Sequence, residues 1–305
     1  PGADPRRRKF PDGRLCGGHM GAVLFVENAK VEAGTLYVIP RTNNSAFTHN
    51  DPQEGHPSTV HITTDEGNVR EFIHGSRATN PVDQWPDPDV YVNYMGQSLS
   101  GSENRNINRT YPGKADGTLT EMMSYGIVQL INTENIDVTV DLHEASPEYP
   151  VINALIAHER AMNLASNVVV DMQMEGVQIS LEPSPTDLRG LTHRELGDHT
   201  DTLALLMEAP NPAQGRLRDR TDEALVLTGK SETYVKAGEI GQLYVPYDEN
   251  GWPIEVRCAR HVFGIERILA NYSEMYEEPI IVTGMPSYDE LVKNGMGPYL
   301  NEPTT

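Results

Sequence analysis

Nine residues constrain this chain more than any others: Ile136-Asp137-Val138-Thr139-Val140-Asp141-Leu142-His143-Glu144. β-Branched residues dominate, and Ile136, Val138 and Val140 alternate with polar ones, the pattern of a buried strand. The run then ends in Asp141, His143 and Glu144. Open α/β sheets hold ligands at the carboxyl ends of their strands. A His at a strand end, followed by Ala145-Ser146-Pro147, is well placed to hold a metal; a surface His in a strand-to-helix turn is the alternative.

The flanking sequence extends this strand into an α/β domain. Thr118 and Glu121 make a capping-box pattern. Leu119, Met122, Met123, Ile127, Leu130 and Ile131 then recur at helical spacing, and this helix feeds the strand. A second buried strand, 202–207, delivers Glu208 at its carboxyl end. Further strands are expected over 35–40, 168–170, 177–181 and 280–282, and helices over 151–167 and 261–271. Met20–Val31 admits a helix or a strand. Residues 41–100 are dense in Asn, Asp, Pro, Gly and Thr, which predicts long loops and one hairpin, 61–63 against 70–72. Such a loop usually walls or lids a site.

The expected fold is therefore α/β, a mixed, mostly parallel central sheet with helices on both faces, His143 and Glu208 sharing one edge. One domain would span 1–272 with a loop insertion at about 41–105, and a tail, 273–305, would pack on it.

Charge narrows the partners. Lys and Arg number 24 against 44 Asp and Glu, a formal charge of −20. That argues against nonspecific nucleic-acid binding, and an anionic substrate must meet a local cluster of Arg. Two cysteines, Cys16 and Cys258, exclude a disulfide framework or a Cys-rich zinc module. No apolar run reaches membrane-span length. The chain begins at Pro1, which leaves a removed leader, and so either a cytoplasmic or an exported protein, open, as is an oligomer. No Asp-x-Asp-x-Asp-Gly loop supports calcium binding.

Three pieces carry a family resemblance. Asn108-Arg109-Thr110-Tyr111-Pro112-Gly113 resembles the Asn-Arg-x-(Phe/Tyr)-Pro-Gly signature of zinc carboxypeptidase-like (M14) amide hydrolases, closest to the succinylglutamate desuccinylase/aspartoacylase group. Asp141-Leu142-His143 is similar to that group's Asp-Leu-His, whose His binds zinc. The strand ending at Glu208 resembles the one presenting the catalytic Glu. The likeness spans roughly residues 17–212.

The resemblance implies a phosphorylase/hydrolase-like fold and one zinc per chain. It implies cleavage of an amide next to a carboxylate, in an N-acyl amino acid or a peptide end. Catalytic zinc takes about three protein ligands and a water, whose pKa it lowers. His143 would be one ligand and His19 another. Glu208 would be the general base, and Arg105 would polarise the carbonyl or hold a second anionic group. Asn108 and Arg109 would bind the substrate carboxylate as a donor fork. Arg189 and Arg194, on the polar loop 183–201, are further candidates for substrate binding.

One departure stands against these matches. The family carries His-x-x-Glu after a Gly-Gly strand end; here Gly17-Gly18-His19-Met20-Gly21-Ala22 places Ala where Glu should be. The chain could have become a metal-free relative that binds an acidic small molecule or peptide end. Glu27 or a loop His could complete the site. The favoured explanation is a stretch missing near residues 16–21, which predicts a break between Leu15 and Gly21.

Overall fold

A computed structural model describes residues 16–50 and 56–303. The strands are β1 (Lys30–Ala33), β2 (Thr59–Thr63), β3 (Val69–Ile73), β4 (Val90–Val92), β5 (Ser98–Ser100), β6 (Val138–Ala145), β7 (Ala154–Ala157), β8 (Ser180–Pro183), β9 (Leu203–Pro210) and β10 (Ile281–Thr283). The α-helices are α1 (Gly17–Asn28), α2 (Leu119–Glu134), α3 (Met162–Met174), α4 (Thr192–His199), α5 (Glu223–Thr228), α6 (Glu232–Glu239), α7 (Ile254–Tyr276) and α8 (Tyr288–Asn294).

The mostly parallel central sheet expected from the sequence is not what forms. The largest sheet has four strands in the order β6-β9-β7-β8. β6 runs parallel to β9 and β7 parallel to β8, but β7 is antiparallel to β9. The other strands make three separate two-stranded antiparallel sheets. The error traces to 151–167, read as a helix. Ala154–Ala157 is buried at every position, and periodicity alone cannot tell such a run from a helix. It is β7, seated between β9 and β8. The valines of 168–170 belong to α3, where Val168 and Val169 reach the core.

Residues 35–40 form no strand either. Leu36 and Val38 do lean on the core, so their alternation is real, but no ladder pairs them. The hairpin is as expected, with Ile62 opposite Arg70 in the β2–β3 pair. α2 begins at its capping box: Thr118 accepts from Glu121 N–H, and Glu121 in turn accepts from Thr118 N–H.

The strand alternation sorts the two faces of the sheet. Val138, Val140 and Leu142 pack with Leu205 and Met207 against α3 and α7. Ala204, on the opposite face, packs with Tyr111 and with Val128 and Ile131 of α2 and Leu196 of α4. Side chains two apart share a face, so Asp141 and His143 of β6 project with Glu208 of β9 toward the α2/α4 side.

Candidate active site at the carboxyl edge of the sheet

In-register pairing of β6 with β9 sets His143 opposite Glu208 where both strands end. His143 Nε2 lies 2.9 Å from Asp141 Oδ2, and Nδ1 lies 3.9 Å from Glu208 Oε2. The first distance is a hydrogen bond; the second is too long for one. Glu208 is 11% exposed in its side chain, against 28% for both Asp141 and His143.

The electrostatics follow from this spacing. Burial favours neutral His143, but Asp141, by charge and hydrogen bond, and Glu208 outweigh it, pushing the pKa up to about 9. Arg109 is near enough to oppose that rise. Burial lifts the Glu208 carboxyl to about 7, with Asp141 and Glu144 adding to the rise and His143 resisting it. Asp141 is shifted down: burial works against its charge, but His143, by charge and hydrogen bond, prevails.

The segment 106–113 packs beside this pair as a wall. Asn108 Oδ1 accepts from Thr192 N–H at 2.8 Å and from the Thr192 hydroxyl at 2.9 Å, so it ties the start of α4 to the site instead of presenting a free carbonyl. Gly190, at positive φ, closes the same seam: a Cβ there would lie 2.2 Å from the Arg109 carbonyl oxygen. Arg109 donates to the Asn108 carbonyl, stands 3.6 Å from Glu103, and keeps 25% of its side chain exposed.

Other candidates are spoken for. Arg105 forks onto Asp87 at 2.8 and 3.0 Å and donates to the Thr79 carbonyl, so it braces the loop and does not reach toward a substrate. Arg189 forks onto Glu195, and Arg194 onto Glu159 with Asp198 beside it. These two arginines lock α4 in place and are not free to bind an anion. Glu27 pairs with Arg70, so it does not complete the site.

His19 sits in α1, whose Gly18 abuts the backbone of Leu142. Its Nδ1–H donates to the Pro40 carbonyl at 2.9 Å, and burial pushes its pKa down to about 4. Among the described residues, no hydrogen bond or ion pair joins it to His143. Among the described residues, no three His, Cys, Asp or Glu side chains are grouped to hold a metal ion. His143 has one nitrogen committed to Asp141. The donors present therefore do not fit the zinc that the resemblance implies. At the start of α1, Met20 N–H donates to the Cys16 carbonyl; the expected break between Leu15 and Gly21 begins at Leu15, which lies outside the described residues.

The first turn of α1 instead meets a second polar centre. Glu144 Oε1 accepts from Gly17 N–H at 2.8 Å, while Oε2 accepts from Asn211 at 2.7 Å and Arg257 at 2.6 Å. Glu144 and Arg257 are both fully buried. A Cβ on Gly18 would stand 2.6 Å from the Leu142 carbonyl oxygen, so the Gly17-Gly18 pair serves close packing of helix against strand.

Sequence reasoning passed over His193 and Arg77. The His193 ring is buried with neither nitrogen hydrogen-bonded, its pKa lowered to about 4 by burial, then by His143. Arg77 bonds Glu103 Oε1 at 3.1 Å beside Arg109. Neither sits in a motif; only its neighbours in space single it out. Two clefts of 370 and 310 Å³, lined by α7 with α8 and by α7 with β10, lie away from this edge and carry none of these groups.

No protein-family model matches the chain, and no curated protein does. Two solved structures are similar to it. One is the mDAP-bound form of Helicobacter pylori Csd4, a D,L-carboxypeptidase: 13% identity, TM-score 0.46, covering 91% of this chain and 52% of that one. The other is apo Csd4 from the same organism: 11% identity, TM-score 0.43, 95% and 56%. The chain thus spans about half the length of these proteins, and at these values neither fold nor activity carries over from them.

Proposed function

We propose that the chain hydrolyses an amide bond adjacent to a carboxylate, in an N-acyl amino acid or a peptide end, as a relative of the zinc carboxypeptidase-like hydrolases. The observation that carries this reading is the pairing of His143 with Glu208 across 3.9 Å at the carboxyl edge of β6 and β9. That gap leaves His143 Nδ1–H without a close acceptor and Glu208 without a donor. A substrate carbonyl and a water fit that need.

Glu208 takes a proton from the water as it attacks the carbonyl carbon. His143, held protonated and aligned by Asp141, donates Nδ1–H to the oxygen on which charge develops. Protonated Glu208 then passes its proton to the leaving nitrogen, and the C–N bond breaks to give an acid and an amine. Arg109 pairs with the substrate carboxylate and sets the scissile bond against Glu208.

The test is a panel of N-acyl amino acids and short peptides, with amidated counterparts lacking the carboxylate. Hydrolysis only of the free acids, lost in Glu208→Gln, supports the reading. Binding of the free acids without turnover would make the chain a binder instead.

A further inference from the structure

β6 is half-buried along its whole length, although helices cover both faces of its sheet, while its neighbour β9 is mostly buried. The difference lies at the edge. β6 ends the strand order, so only β9 pairs with it. Leu203 N–H donates to the Asp137 carbonyl and Asn211 N–H to that of Ala145, which turns the odd-numbered residues of β6 toward β9. The N–H and C=O groups of Val138, Val140 and Leu142 point the other way. No described residue hydrogen-bonds to them; the start of α1 abuts the Leu142 carbonyl. Residues 35–39 present a second unmet edge. Half-buried Leu36 and Val38 alternate with exposed Thr35, Tyr37 and Ile39, yet no described residue hydrogen-bonds to the backbone of these five.

Two contacts align this segment with β6. The Tyr37 hydroxyl donates to Glu134, the last residue of α2, just ahead of β6. The Pro40 carbonyl accepts from His19, next to the Gly18 that meets Leu142 at the far end of the strand. α1 spans the two edges: Gly18 and Gly21 meet Leu142, while Leu36 and Val38 lean on the cluster holding Met20, Val23 and Leu24. Paired strands lie about 4.8 Å apart, and a helix about 10 Å wide covers two such spacings. β6 and residues 35–39 form no ladder with each other. We infer that a β-strand of another polypeptide inserts between them beneath α1 and hydrogen-bonds to both edges. Val138, Thr139, Val140 and residues 35–39 carry no charge, and α1 offers apolar side chains. The strand that fits is therefore uncharged, with β-branched apolar residues toward α1 alternating with Thr. This surface is independent of the hydrolase reading.

The probe is a fluorescent peptide in which Val alternates with Thr over five residues between Gly-Ser ends, acetylated and amidated. Without a free carboxylate it is no substrate of the proposed hydrolysis. It should bind, and N-methylation of either alternate set of residues should weaken binding about tenfold or more, because each set removes the donors to one edge. Backbone hydrogen exchange at Val138, Val140 and residues 35–39 should be fast in the free protein and slow with peptide. No binding overturns the inference, as does binding indifferent to either methylated set. Slow exchange at Val138 and Val140 without peptide also overturns it, since a segment of the chain itself then holds the edge.

Discussion

Glu208→Gln separates catalysis from stability. The Glu208 carboxyl takes no hydrogen bond from the described residues and is raised from 4.5 to about 7, burial being the main cause. Between those two values the folded chain binds more protons than the unfolded one, so stability falls as pH rises from about 4.5 through about 7 and stays depressed above it. A shift of this size corresponds to about 3 kcal/mol at pH 8 and under about 1 kcal/mol at pH 5. Gln keeps the shape and removes the charge. The variant should therefore exceed the wild type in stability by up to about 3 kcal/mol at pH 8, with little gain at pH 5, while kcat falls by roughly two or more orders of magnitude. Urea unfolding at both pH values reads the first effect through the midpoint and slope, and steady-state kinetics reads the second. A variant no more stable at pH 8 than the wild type, or one retaining full turnover, would refute the picture of an isolated, buried base.

Arg109→Ala should lower kcat/KM for the free-acid substrate by about thirtyfold or more, the equivalent of roughly 2–5 kcal/mol, with its unfolding midpoint unchanged; equal kinetics would remove Arg109 from the site. The wild-type kcat/KM should be bell-shaped, rising as Glu208 ionises near pH 7 and falling as His143 loses its proton near pH 9. A profile flat from pH 5 to 10 would exclude both roles. Arg257→Met should cost about 3–5 kcal/mol, because it strands the Glu144 carboxylate in a fully buried place; a loss under about 1 kcal/mol in chemical denaturation would mean that water reaches it.

The sequence alone settled what rests on local pattern. Alternation along 136–144 put Asp141 and His143 on one face because strand side chains repeat every two residues. Thr118 and Glu121 announced α2, since a capping box closes within four residues. The β2–β3 hairpin and the strand delivering Glu208 were likewise written in neighbouring residues. Tertiary structure decided what depends on distant partners. Whether a guanidinium is available or spent is set by which carboxylate folds against it: Arg105 meets Asp87 and Arg194 meets Glu159, and no spacing in the chain announces either. The direction of β7, and with it the mixed sheet, was equally hidden, because a short run buried on both faces has the same composition in a helix or a strand. His19 shares a residue type with His143 but packs with α1 against Pro40, and Arg77 stands beside Arg109 though 32 positions separate them in the chain. Local periodicity carries information over a few residues; ion pairing and helix packing carry it across the whole fold, where only the assembled chain reveals it.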